Sequence, residues 1–210
     1  NAERILSIIN QMMDLRKIDK GQMQMRMAET DLIPFVKDIY ELFGGQAKNK
    51  SVKLVFKHDT NSLPIWLDRK NFDKVIVNIL SNAFKFTPSG GEIRIIVNHD
   101  DKNATIAISD NGEKIPEDKI EKIFERFYQT SSSVNDRYTG TGIGLDLTRS
   151  LVELHHGTIT ARNISTKEHT EYIDEGQDGV VFIVTLPLGN THLKPEEMII
   201  DEEPATVADL

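Results

Sequence analysis

Three glycines fall within five residues, Gly140-Thr141-Gly142-Ile143-Gly144, directly before a pattern of helical period. Closely spaced glycines expose backbone N–H groups and let an anion approach. The helix that follows adds partial positive charge at its N-terminus. The flanking residues restrict which fold this belongs to. A dinucleotide-binding fingerprint needs a strand just before the glycines, and the polar stretch Ser131–Tyr138 stands there instead. A Walker-type loop needs Lys and then Ser or Thr after the last glycine, and Leu145 follows Gly144. The segment is a Gly-rich phosphate loop of another kind.

Around it, helical and strand periods are mixed. Ile5, Ile8, Met12 and Leu15 recur at three–four spacing, with Leu6, Ile9 and Met13 as a second stripe. This predicts an amphipathic helix ending near Lys20-Gly21, one that wants a bundle. Met23, Met25 and Met27 alternate with polar residues and predict a half-buried strand. Thr30 or Asp31 can cap a helix running through Phe35, Ile39, Leu42 and Phe43, with Pro34 in its first turn. Val52–Phe56 and Leu63–Leu67 read as extended. Asp68 then caps a helix to about Phe84, with Phe72, Val75, Ile76, Ile79, Leu80 and Ala83 at helical spacing. Strands are expected at Glu92–Val97 and Ala104–Ile108, short helices at Pro116–Phe127, and a helix from Gly144 to His155/His156-Gly157. Two further strands are expected at Thr158–Arg162 and Val180–Leu186. The class is α+β: one mixed sheet with helices on one face. The tail after Gly189 reads as a linker.

Composition removes several chemistries. The chain has 210 residues and no cysteine, so disulfides, Cys-ligated zinc, iron–sulfur clusters and thiol catalysis are excluded. Residues 191–210 hold six acids and one lysine, and carry −5 of the net −8. The body is thus nearly neutral, which argues against bulk nucleic-acid binding. No stretch approaches the ~20 apolar residues of a spanning helix. The chain begins at Asn1 rather than Met, as expected of an excised or processed piece.

Three more constellations precede the glycines. Asn78 and Asn82 stand four apart on one helix face, and a carboxamide oxygen is a hard, neutral ligand suited to a Mg²⁺ already charge-matched by phosphates. Lys85 lies three beyond. Ile108-Ser-Asp110-Asn-Gly112 places an acid at a strand end, where a glycine permits a turn. Phe124 and Phe127 bracket Arg126. Taken singly, these read as a solvated helix face, an Asx-Gly turn and core aromatics.

In this order, the set resembles the N, G1, F and G2 boxes of sensor histidine kinases, in the ATP-binding superfamily that includes Hsp90, gyrase B and MutL. The resemblance spans nearly all of residues 1–190. It implies a Bergerat-type two-layer α/β sandwich preceded by one amphipathic helix, and a cofactor pair of ATP and Mg²⁺. Asn82 would be the Mg²⁺ ligand, supported by Asn78, with Lys85 touching phosphate. Asp110 would accept from the adenine amino group, beside Gly112. Gly140, Gly142 and Gly144, with Leu145, would flank the phosphates. Residues 113–139 would form a lid anchored by Phe124 and Phe127, with Arg126 and Arg137 as phosphate contacts. Residues 1–20 look like the second helix of the dimerisation hairpin, 21–190 like the catalytic domain, and 191–210 like an acidic linker. Residues 188–197 are similar to the exit from hybrid sensors that continue into a receiver domain.

The implied reaction is transfer of the ATP γ-phosphoryl to a histidine. The implied partners are a second copy, through the first helix, and a receiver in cis or in trans. The implied place is cytoplasmic, with any membrane anchor outside this chain. None of His58, His99, His155, His156, His169 and His192 has the context His-Glu-Leu-Arg-Thr-Pro of a phosphoacceptor, so the chain is expected not to label itself. An ATP-hydrolysing machine would need Glu where Asn78 stands, because an amide takes no proton at neutral pH. Two positions depart from the family pattern. Lys114 replaces a G1-box glycine, which is the ground for an alternative, a degenerate partner-binding module. His156 replaces a common turn glycine.

Overall fold

A computed structural model of the chain describes residues 2–128 and 142–199. Their elements, in order, are α1 (Ala2–Asp19), β1 (Ala28–Asp31), α2 (Leu32–Leu42), α3 (Gly44–Lys50), β2 (Lys53–His58), β3 (Pro64–Leu67), α4 (Arg69–Phe86), β4 (Glu92–His99) and β5 (Asn103–Asp110). After two short 3-10 turns, α5 (Gly144–Leu154), β6 (Thr158–Ile164) and β7 (Gly179–Pro187) complete the fold. Five strands form one sheet in the order β2-β4-β5-β7-β6. β2 is parallel to β4, and the other three pairings are antiparallel.

Period two decides the faces. Ile93, Ile95 and Val97 of β4 join Ala104, Ile106 and Ile108 of β5 on the helix side, in one core with α2, α4 and α5. Phe72, Val75, Ile76, Ile79 and Leu80 of α4 are fully covered there. Each such side chain contributes roughly 1.5–3 kcal/mol through burial. Asp110 continues the inward alternation of β5, so the sheet itself aims this carboxyl toward the helices. The expected caps are in place: Asp31 accepts from the Ile33 amide, and Asp68 from the Asn71 amide.

His155, at the end of α5, is buried and sits 5.1 Å from the Phe72 ring. Its Nε2 accepts from the Asp68 amide at 3.1 Å, and its Nδ1 lies 2.7 Å from the Leu151 carbonyl. That pattern fixes the neutral tautomer with hydrogen on Nδ1. His156 takes the left-handed φ of 60° that suits a glycine, as an exposed turn residue.

The structure corrects several expectations. Among the described residues there are two sheets, since β1 and β3 pair antiparallel apart from the main one. The methionine stretch is buried alternately but is not a strand. Its backbone is taken up elsewhere, by the bonds from Arg26 N to Asp68 Oδ2 and from Met27 N to Glu197 O, and by the acceptance of Ile199 N by Met27 O. The segment expected as a linker therefore docks over residues 193–199, with Leu193 buried against Met25 and Met27. Helix α3 went unread because Gly44-Gly45-Gln-Ala47 has no apolar period and buries only Ala47.

Candidate functional site

Helix α4 presents Asn78, Asn82 and Lys85 along one side. The Asn78 carboxamide is occupied: its Nδ2 donates to the Gly144 carbonyl at 3.2 Å and to Thr148 Oγ1 at 3.3 Å, and its oxygen accepts from Gln11 at 3.5 Å. Asn78 thus ties α4 to the start of α5 and to α1. Asn82, one turn on, is half-buried and has no hydrogen-bond partner among the described residues. The Lys85 ammonium lies 4.9 Å from the Phe86 ring centroid.

Across from the end of α4, Asp110 is only 6% exposed. Its Oδ1 accepts from the Gly112 amide at 2.9 Å. Burial pushes the carboxyl up to about 7, and the Gly112 hydrogen bond offsets only part of this. Gly112 is required for space: a Cβ there would lie 2.6 Å from the Phe86 carbonyl oxygen and 2.7 Å from Asp110 Oδ1. Asn111 turns its oxygen back to the Glu92 amide at 2.7 Å. The Asp110 carboxyl thus sits in a turn packed tightly against the end of α4. Lys114 does not need a glycine's backbone here, since its φ is not positive. Its ammonium pairs with Asp178 at 3.3 Å.

Phe124 is buried edge-on to Phe182, under the Arg149 guanidinium. Phe127 is not the second anchor expected of it: it is 61% exposed and takes a left-handed φ of 63°. The reason is Gly142, whose φ is 67° and whose carbonyl accepts from the Phe127 amide at 2.8 Å. A Cβ on Gly142 would strike the Phe127 backbone at 2.7 Å. Helix α5 then opens at Gly144 without a side-chain cap among the described residues, and Leu145 packs on the core. Arg126 holds Asp19 of α1 with both terminal nitrogens, at 2.8 and 3.0 Å, and Asp146 of α5 with Nε at 2.7 Å. Arg137 and Gly140 lie outside the described residues.

Asn82 fits a Mg²⁺ that brings its own phosphates. Among the described residues no group of three His, Asp or Glu side chains is placed to hold a metal unaided. Sequence reasoning did not find Thr148, Asp146 or Asp19. Thr148 had a signal, standing four residues after Gly144 and facing back to its carbonyl at 2.8 Å.

A family model described as histidine kinase-, DNA gyrase B- and HSP90-like ATPase matches residues 67–190. The chain belongs to that family, and within it the similar proteins are histidine kinases. It is 33% identical over 204 residues to histidine kinase P4 of Formosa agariphila, covering 96% of this chain and 14% of that protein. It is 35% identical over 211 residues to sensor histidine kinase TmoS of Ectopseudomonas mendocina, covering 99% of this chain and 20% of that protein. The chain thus spans a small part of these curated relatives. The catalytic domain of histidine kinase ThkA aligns with a TM-score of 0.64 at 28% identity, over 78% of this chain and 97% of that domain. Full-length ShkA, solved in complex with AMPPNP, shares the fold with a TM-score of 0.73 at 21% identity, over 88% of this chain and 36% of that one. The α+β fold is that of a histidine kinase ATP-binding domain, and nothing favours the degenerate alternative.

Proposed function

We propose that this chain binds Mg-ATP and passes its γ-phosphoryl to a histidine on a helix outside these residues. The observation that carries this is Asp110: a buried carboxyl whose second oxygen has no hydrogen-bond partner among the described residues, beside a turn where Gly112 leaves no room for a Cβ. Such an acceptor suits the exocyclic amine of adenine. The AMPPNP bound to ShkA supports a nucleotide at this fold.

In this proposal Asn82 supplies a metal oxygen. Lys85 and the amides at Gly142, Gly144 and Leu145 face the phosphates, joined by Arg137 and Gly140. Asn78 holds α5 in register with α4 and is a positioning residue. Bound Mg²⁺ would neutralise charge developing on the transferred phosphoryl. Asp19 and Asp146 hold three of the five N–H donors of Arg126, so a phosphate would compete with them for its charge.

Residues 1–20 act as the second hairpin helix of a homodimer. Ile5, Leu6, Ile9, Met12 and Met13 are each 47–58% exposed along α1, a stripe that suits a bundle. Residues 21–190 form the catalytic unit, and 191–210 lead out of it. The ThkA complex with response regulator TrrA supports a receiver as partner. The setting is the cytoplasmic part of a sensor. Calorimetry with ADP, with and without Mg²⁺, tests the core of the proposal: binding that Mg²⁺ strengthens is expected. No binding by the wild-type chain at millimolar Mg-nucleotide would overturn it. Phosphate from labelled ATP should appear on a supplied acceptor hairpin and not on this chain.

A further inference from the structure

The segment joining β6 to β7, residues 165–178, crosses the sheet face opposite the helices. Tyr172 and Ile173 cover Ile96, Ala107 and Val181 there. Ser109 donates to the Tyr172 carbonyl. Arg94, buried on that face, holds the carboxylates of Glu92 and Asp174 and donates to the Glu171 carbonyl at 3.0 Å. Arg94 has no part in the site described above, and two of its three partners, Asp174 and the Glu171 carbonyl, belong to the strap it fastens to the sheet.

The ends of the strap reach the other way, to the residues that follow Asp110. Asn111 Nδ2 donates to Gln177 at 3.1 Å, and Lys114 pairs with Asp178. Asn163, just before the strap, accepts the Ile115 amide at 2.9 Å and donates to the Ile115 carbonyl at 2.6 Å and to Glu117 at 2.9 Å. One carboxamide thus gives the Ile115 peptide the two bonds a neighbouring strand would give. At the far end Gly179 passes so close to Asp110 that a Cβ would lie 2.2 Å from its carbonyl oxygen. Residues 111–117 are therefore clamped between the end of α4, through Gly112, and the strap.

We propose that this strap is the positioning element of the nucleotide site, and that Asn163 is the positioning residue that sets the loop beside Asp110. The inference rests on the nucleotide reading of Asp110. Fixing a loop residue costs roughly 1–2 kcal/mol of backbone entropy, and a loop ordered in advance spares the ligand that cost. Asp110, beside this clamp, is itself only 6% exposed.

The test compares wild type, Asn163→Ala and Asp178→Ala by ADP calorimetry across pH, amide exchange and thermal melting. Above the Asp110 inflection, Asn163→Ala is expected to weaken ADP about tenfold, as the loss of one to two net hydrogen bonds implies. Its inflection should move below about 7, because a loosened loop readmits water to a carboxyl that burial holds there. Amides 114–117 should exchange faster. Asp178→Ala, which removes a half-exposed ion pair and the Thr166 amide's acceptor, should fold and weaken ADP about twofold. If wild type binds ADP and both variants match it in affinity and inflection, the strap proposal falls while the nucleotide reading stands. A loss of affinity with an unmoved inflection and a matching drop in melting temperature marks a structural role only, and also overturns it. Wild type that binds no ADP overturns both.

Discussion

Asp110 and Asn82 mark two ends of one candidate site, and the protein builds them by different means. At Asp110 the contacts are already in place: a ladder register to Ile93 and Val180, a close approach of Gly112 to the Phe86 carbonyl, and a turn closed by Asn111. At Asn82 the amide is unbonded among the described residues, α5 starts at Gly144 with no side-chain cap among them, and Phe127 and Gly142 both hold left-handed backbone. Apolar burial and strand pairing can specify the first end completely. The second end presents N–H groups and a neutral oxygen whose natural complement is an anion with its metal. In the proposed reading, the base side is preformed and the phosphate side is completed by what binds.

The largest effect expected from this contrast separates two glycines. Gly112→Ala pushes a methyl into the Phe86 carbonyl and Asp110. Overpacking of this kind costs about 1–3 kcal/mol and should abolish measurable ADP binding. Gly144→Ala meets only Asn78, at an ordinary 3.7 Å, and should fold and melt like wild type. Equal losses at the two positions, by calorimetry and thermal melting, would erase the distinction.

Next is the titration of Asp110. Its folded carboxyl sits near 7 against an ordinary value near 3.8. Between those values the folded state holds a proton that the unfolded chain has released. The ligand-free protein should therefore lose stability as pH rises through that window. ADP affinity should rise over the same range, because the ionised acceptor makes the stronger bond to the adenine amine. Asp110→Asn should flatten both profiles and weaken ADP by about ten- to a hundredfold. A flat wild-type affinity profile would remove Asp110 from the contact.

The two asparagines of α4 then sharpen the phosphate end. Asn82→Ala should lower ADP affinity several-fold in Mg²⁺ and leave the metal-free value unchanged. Asn78→Ala should do the reverse in kind. It breaks the link to Gly144 and Thr148, costs about 1 kcal/mol of stability, and keeps the ratio of affinities with and without Mg²⁺. If Asn78→Ala alone removes the Mg²⁺ effect, the roles are exchanged.

Most of the fold was legible because its signals are local. The caps Asp31 and Asp68, the apolar period of α4 and the alternation of β4 and β5 each act within a few residues. What escaped depends on the meeting of distant segments. The methionine alternation marks burial correctly, yet its backbone partners lie some 170 residues on, at Glu197 and Ile199. His155 is given in the sequence only as part of a helix end, and its burial depends on Phe72 and Asp68 being brought against it. In the candidate site, Asn82, Asp110 and Gly112 stand out as short motifs, and the fold sets Asn82 on α4 and Asp110 at the end of β5, with Gly112 two residues beyond. Phe127 was misjudged because an aromatic three residues after Phe124 implies a buried helical turn, whereas the backbone turns outward at φ 63°.

The smallest expected effect concerns Arg126, which the sequence offers as a phosphate contact and the structure shows between Asp19 and Asp146. The guanidinium is 38% exposed, and a pair of this exposure is worth about 0.2–1 kcal/mol. Arg126→Ala should therefore barely lower the melting temperature, and salt should shrink even that difference. Its effect on nucleotide depends on where the charge goes when phosphate arrives. If Arg126 leaves Asp19 for the γ-phosphate, Arg126→Ala should weaken ATP more than ADP. Asp19→Ala, by freeing the guanidinium from its bidentate partner, should then strengthen ATP up to about twofold, within the worth of an exposed pair. Opposite signs from the two variants would show α1 and phosphate competing for one arginine. If both variants leave the ATP-to-ADP ratio unchanged, Arg126 is a surface tie between α1 and α5 and the phosphate end is built without it.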